Sequence, residues 1–128
     1  MERFTSQVQR AFFLQFYEWL FTFQPDFVIS THFLAPDLIA QLQRDSVYNV
    51  PHITVVTDYD SHRIWANLPC TQFFAPREEA ALMLQHAGVP EHLLQLSGIP
   101  IVPEFAEVPS KSKCREALGA CEGVRMCA

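Results

Sequence analysis

Residues 52–88 read HITVVTDYDSHRIWANLPCTQFFAPREEAALMLQHAG, and this stretch decides the fold. His52 to Val56 is a run rich in β-branched residues, the composition of a buried strand. It passes into a polar loop, Thr57 to Arg63. Gln72 to Ala75 makes a second apolar run, and Pro76-Arg77-Glu78-Glu79 opens a helical segment that continues to His86. Acidic residues in a first turn complement the helix dipole. Gly88 stands where a helix C-terminal cap is expected. Strand, loop, strand and helix in this order predict βαβ construction, a parallel sheet and right-handed crossovers.

Outward from that core the pattern repeats. Upstream, Phe27-Val28-Ile29 reads as a short strand, followed by the polar turn Ser30-Thr31-His32 and a helix opening at Pro36-Asp37 with Leu38, Ile39 and Leu42 on one face. Further back, Phe4, Val8, Phe12, Phe16, Trp19, Leu20 and Phe23 fall at helical spacing, and Phe13, Leu14, Tyr17 and Phe21 widen the stripe. So apolar a helix is expected to lie buried between a sheet and a further layer, and Pro25 ends it. No strand stands before this helix, so upstream sequence is expected to be missing. Downstream, Leu94 to Ser97 reads as a fourth strand ending at Gly98-Ile99-Pro100, Glu104 to Ser112 as a linker, and Lys113 to Gly119 as the start of another helix. The expected fold class is α/β, a Rossmann-like parallel sheet flanked by helices.

Bulk composition narrows the function. With 128 residues, 49% hydrophobic and 18% charged, the chain is long enough for one domain with a real core. A net charge of -5 argues against a broad nucleic-acid footprint. Met1-Glu2-Arg3 is followed by Thr5, Ser6, Gln7 and Gln9, which is no secretory signal, and the apolar stretch from Ala11 to Phe23 contains Gln15 and Glu18. It also falls short of the about 20 apolar residues that span a bilayer. Cys70, Cys114, Cys121 and Cys127 lack metal-site spacing and are read as reduced thiols of a cytoplasmic protein. The four glycines, at 88, 98, 119 and 123, cannot build a dinucleotide or P-loop motif.

In a parallel α/β sheet, ligands bind at the carboxyl ends of the strands. Here those ends are Ser30-Thr31-His32, Thr57 to Trp65, Ala75-Pro76-Arg77 and Ser97 to Pro100. The densest group is Thr57-Asp58-Tyr59-Asp60-Ser61-His62-Arg63-Ile64-Trp65. In extended chain Asp58, Asp60 and His62 would share one side. Three readings stay open: a divalent metal site, a general acid/base site centred on Asp58 or His62, or a loop-capping aspartate beside a solvated histidine. His52, His86 and His92 read as structural or solvated.

Three texts occur in order: Pro25-Asp26-Phe27-Val28-Ile29-Ser30-Thr31-His32, then Val55-Val56-Thr57-Asp58 with His62 and Trp65, then Gly98-Ile99-Pro100-Ile101 with Pro103 and Phe105. Together they resemble the amino-terminal domain of monogalactosyldiacylglycerol synthases and processive diacylglycerol glucosyltransferases, enzymes of the GT-B fold. The resemblance covers roughly residues 24 to 119. It implies an inverting transfer of a hexose from a UDP-sugar to a diacylglycerol-type lipid, at a membrane surface on the cytoplasmic side. It divides the chain into a partial acceptor-side domain, 1–105, and a linker with the truncated start of the donor domain, 106–128. Acceptor-side candidates carried over are Thr31, His32, Asp58, His62, Arg63 and Trp65, with Gly98, Ile99 and Pro100 leading to the donor side. Trp65 would meet acceptor lipid, His62 and Arg63 an anionic head group, and Asp58 would order its loop. The expected base lies upstream of Met1. No cofactor or metal is implied, the UDP-sugar belongs to the full-length enzyme, and catalysis by this chain alone is not expected. A sheet lacking its first strand leaves an edge open to self-association. A non-catalytic lipid- or partner-binding remnant, and a metal-dependent enzyme built on Asp58, Asp60 and His62, are the alternatives.

Overall fold

The computed structural model describes residues 13–105, 107 and 109–119. Its strands are β1 (Val28–Ser30), β2 (His52–Val55), β3 (Gln72–Ala75) and β4 (Leu94–Leu96). Its helices are α1 (Leu14–Phe23), α2 (Leu34–Arg44), α3 (Glu78–His86) and α4 (Lys111–Ala117), with short 3-10 turns at Arg63–Trp65, Glu91–Leu93 and Pro103–Phe105. The four strands form one parallel sheet in the order β1-β2-β3-β4, as the alternation of strands and helices predicts.

The register pairs Val28 with His52, Thr54 with Phe73 and Ala75 with Leu96. With a side-chain period of two, Val28, Ser30, His52, Thr54, Phe73, Ala75, Leu94 and Leu96 therefore share one face. Ser30, His52, Thr54, Phe73 and Ala75 are buried on it. The opposite face carries Ile29, Ile53, Val55 and Phe74, of which Ile29 is exposed and the rest are half-buried. The covered face holds the larger core cluster: Val56, Trp65, Phe73, Ala75, Leu84 and Val89. Each large apolar side chain buried this fully contributes about 1.5–3 kcal/mol. A smaller cluster, Leu20, Ile39 and Val50, joins α1 to α2 with Phe16, Val28, Leu42 and Tyr48 against it.

Local chemistry explains the element ends. Pro36 falls in the first turn of α2, where backbone N–H groups lack intrahelical partners and a missing donor costs nothing. After α3 the Gly88 N–H donates to the Gln85 carbonyl (2.9 Å) and the Val89 N–H to the Leu84 carbonyl (3.0 Å), a Schellman closure. Gly88 adopts φ 104°, the left-handed conformation that closure needs, while Val89 and Leu84 meet in the core beneath it. Ser110 caps α4 by accepting from the Lys113 N–H, so that helix starts two residues earlier than the sequence suggests.

The first helix departs from expectation. It is helical from Leu14 to Phe23, and the portion expected before Phe13 lies outside the described residues. Only Leu20 is buried on it; Trp19 is 47% exposed and Phe23 65%. Hydrophobicity all round predicted enclosure, yet α1 touches its neighbours along one narrow stripe. Its other side carries aromatic rings packed on each other, with Trp19 stacked on Phe23 at 5.3 Å between centroids.

Candidate functional site

The carboxyl ends of β1, β2 and β3 are drawn together by a few hydrogen bonds. The Thr57 hydroxyl donates to the Thr31 carbonyl (3.0 Å), tying the loop after β2 to the turn after β1. His32 turns its Nδ1 back to accept the Leu34 N–H (3.3 Å), so it caps the entry to α2. With Nδ1 accepting, a neutral imidazole carries its proton on Nε2 and presents a donor there. The His32 ring lies 4.2 Å from that of Phe33 and 6.5 Å from that of Trp65, centroid to centroid.

Trp65 does not stand at a lipid interface. It is 1% exposed, packed edge-on to Phe33 at 5.9 Å, and its indole N–H donates to Asp58 Oδ2 at 2.8 Å. This corrects the expectation of an acceptor-lipid contact. The 3-10 turn Arg63–Trp65 rotates the ring inward, where its apolar bulk fills the core and Asp58 satisfies its one polar atom. Asn67, unmarked by any motif, bridges the same elements by donating to the Phe33 carbonyl (3.3 Å) and the Ile64 carbonyl (2.8 Å). The rotated turn leaves Ile64 exposed beside His62 and Arg63, which are exposed too.

A second group sits on the outer side of the loop. Arg77, the residue before α3, donates from Nε to the Tyr59 carbonyl (3.1 Å), lies 4.1 Å over the Tyr59 ring, and pairs with Asp60 through Nη2 and with Glu79 through Nη1 (3.3 Å). The hydrogen bond to Asp60 raises the already high pKa of Arg77 further, so the guanidinium is a fixed cation. Asp58 and Asp60 thus serve different partners, Trp65 and Arg77. The one-sided alternation of Asp58, Asp60 and His62 does not form, because bends at 58–60 break the extended chain it requires. Among the described residues no group of three or more His, Cys, Asp or Glu side chains is placed to hold a metal ion.

The turn after β4 completes the set. The Ser97 N–H donates to the Ala75 carbonyl (3.0 Å), and Gly98 follows at φ 76°, a conformation that strains any side chain although the space around it is open. Ile99 and Pro100 continue exposed. The structure therefore brings Thr31, His32, Asp58 and Trp65 into one cluster, sets His62 and Arg63 at its rim, and places Gly98-Ile99-Pro100 at the neighbouring strand end. The buried hydroxyls of Ser30 and Ser61, one on β1 and one in the loop, have no protein partner. Far from this edge, at the start of β2, His52 is fully buried with neither ring nitrogen bonded, and desolvation lowers its pKa from 6.5 to about 4. Beside it, burial raises the pKa of the Cys70 thiol, which donates to the His52 carbonyl (3.4 Å).

Comparison with known proteins adds a family. A family model described as monogalactosyldiacylglycerol (MGDG) synthase matches residues 1–101. A probable monogalactosyldiacylglycerol synthase, chloroplastic, of Nicotiana tabacum is 32% identical over 104 residues, covering 78% of this chain and 19% of that protein. A processive diacylglycerol beta-glucosyltransferase of Staphylococcus carnosus is 30% identical over 84 residues, 66% of this chain and 21% of its own length. Monogalactosyldiacylglycerol synthase 1, chloroplastic, of Arabidopsis thaliana is 29% identical over 109 residues, 82% of this chain and 20% of that protein. The chain thus spans about a fifth of the length of each of these relatives.

Proposed function

Because the chain belongs to the monogalactosyldiacylglycerol synthase family, we propose that it supplies the acceptor-side part of a glycolipid glycosyltransferase. The reaction is the inverting transfer of a hexose from a UDP-sugar to the hydroxyl of a diacylglycerol-type lipid, and the chain does not complete it alone. The observation that carries this reading is the coincidence of two things: the family match spans residues 1–101, and the texts that carry the resemblance fall on the carboxyl ends of parallel strands. That edge is where ligands meet such sheets.

In this reading residues 1–105 form the acceptor-side unit, and Gly98-Ile99-Pro100 lead toward 106–128, the linker and start of the donor side. Thr31 and His32 face the acceptor, with the His32 Nε2–H as a donor to an oxygen. His62 and Arg63, exposed at the rim, meet the polar end of the lipid. Asp58 acts through Trp65, holding the loop in shape rather than touching substrate. No helix among the described residues is long and apolar enough to cross a membrane, and the proposed contact is a peripheral one with the cytoplasmic face. The outer edge of β1 is the proposed site of self-association, since it ends the sheet among the described residues.

The test is a pair of measurements on the whole chain. Incubation with UDP-glucose or UDP-galactose and diacylglycerol vesicles should yield no glycolipid, and isothermal titration of either nucleotide sugar should yield no heat of binding. Co-sedimentation with the same vesicles should be positive, and weaker for Arg63→Glu with His62→Ala. Tight binding of a UDP-sugar would overturn the division into acceptor and donor parts. The exposed stack of Trp19 on Phe23 favours a second reading, a non-catalytic module binding lipid or a partner through α1. Vesicle binding lost in Trp19→Ala but kept in the loop variant would select it.

A further inference from the structure

Away from the strand-end loops, an open groove of about 300 Å³ runs between α3 and β4. The apolar part of its lining is Ala81 and Leu82 on the helix and Leu94 and Leu96 on the strand, with Gln85 and Gln95 beside them. Glu78 and Glu91 also line it. Glu78 starts α3, which runs back from the carboxyl end of β3, and Glu91 precedes β4, so the two carboxylates stand at opposite ends of the groove. Beside it, β4 pairs with β3 alone among the described residues and leaves its outer row of backbone groups without a neighbouring strand. Both Leu82 and Leu96 are about half exposed, at 51% and 50%.

We propose that this edge is a docking site for an extended peptide segment, which adds to β4 as a fifth strand and lays alternate side chains into the groove. Strand addition satisfies the unpaired backbone row, and alternate residues of the incoming segment face the groove. An apolar stretch of lining with a carboxylate at each end selects a segment whose groove-facing row reads basic, apolar, basic. Such a row takes five residues, four steps or about 13 Å in all, so along a three-residue strand its outer Lys or Arg side chains reach past the ends toward the carboxylates. The carboxylates count against a second copy of this chain as the occupant. Pairing β4 with its own equivalent would crowd four glutamates along one short interface, in molecules that each carry a charge of -5. This inference is independent of the glycolipid reading.

The test uses the isotope-labelled whole chain and a short synthetic probe, acetyl-Thr-Lys-Thr-Val-Thr-Lys-Thr-amide, with Lys, Val and Lys on one face. Saturable amide shifts are expected at Leu94, Gln95 and Leu96 and along the Ala81–Gln85 side of α3. The counterpart with Glu in place of Lys should bind about tenfold more weakly or not at all, and high salt should narrow the difference, as exposed charge pairs are screened. Glu78→Gln with Glu91→Gln should remove the preference for the basic probe while leaving strand addition itself. Equal shifts with both probes would overturn the charge assignment. An absence of shifts, concentration-dependent β4 shifts without any peptide, or the same shifts on adding spermine alone would overturn the peptide site.

Discussion

The two ends of the sheet are built to different standards of closure. At the β3–α3 end, a strand, a helix and the inward-turned loop enclose Trp65, Phe73 and Leu84 completely. At the β1–α1 end the smaller cluster holds Leu20, Ile39 and Val50, while Trp19, Phe21, Phe23, Phe27 and Ile29 all stand exposed around it. The second end is the more hydrophobic in sequence and the less buried in space. Composition does not bury a residue; a facing layer does. At the β3 end that layer comes from neighbouring residues, since the loop 57–70 folds Trp65 over the strands it connects. At the β1 end the contacts of α1 among the described residues run along one side, toward α2, Val28 of β1 and the loop that carries Tyr48 and Val50.

Removing one phenyl ring from each end tests this difference in closure with the largest expected effect. Phe73→Ala should lower the unfolding free energy by about 3–5 kcal/mol, because it removes a fully enclosed side chain and leaves a cavity under α3. Phe23→Ala should change it by less than about 0.5 kcal/mol, as for an ordinary surface position. Urea melts of the two variants read both numbers. Equal losses would mean that the α1 aromatics are enclosed in solution and that the contrast is wrong.

How much of this was legible beforehand follows the same division. The β2 and β3 runs, the helix after Glu78 and the Gly88 closure depend on neighbours within a few residues, and periodicity and turn chemistry report such neighbours directly. The candidate site depends on contacts across the chain. Asn67 meets Phe33 across 34 positions, and Arg77 meets Asp60 across 17, with nothing in local spacing to announce either. The burial of Trp65 is illegible for the same reason: a 3-10 turn of three residues decides whether the indole points to solvent or to the core, and so short a turn has no sequence signature. The alternation of Asp58, Asp60 and His62 was a sound inference from an extended backbone that the loop does not adopt.

His52 lies on the covered sheet face, in register with Val28, with both ring nitrogens unbonded. Its folded pKa, about 4, lies below the 6.5 of the free side chain, so folding requires the neutral form. The associated stability is complete above about pH 6.5, declines as the unfolded chain takes up the proton, and levels off below about pH 4 after a total loss of about 3 kcal/mol. By about pH 5 roughly 2 kcal/mol of this should be gone. His52→Leu, close in volume and unable to ionise, should flatten that part of the profile while leaving the carboxylate contribution in place. Melts of both proteins at about pH 7 and about pH 5 give the difference; parallel profiles would show that His52 is hydrated or bonded in the folded state.

The smallest of the three effects tests whether the closed end owes its finish to one hydrogen bond. Asp58 is exposed, but its carboxylate is the partner of a buried indole N–H. Asp58→Ala removes little contact area and still leaves the Trp65 N–H without an acceptor in the core. The expected cost is about 1–2 kcal/mol, the penalty for an unsatisfied buried donor. Asp58→Asn keeps an acceptor oxygen at the same reach and should recover most of it. The distinguishing readout is the emission of the chain: Trp65 should shift to the red in Asp58→Ala if the indole swings outward to find water, whereas Trp19, exposed from the start, cannot supply that change. Should neither Ala nor Asn at 58 cost anything measurable, the bond contributes nothing beyond packing. The loop would then be held by the Arg77 contacts to Tyr59 and Asp60 instead, and Arg77→Gln would become the variant that releases it.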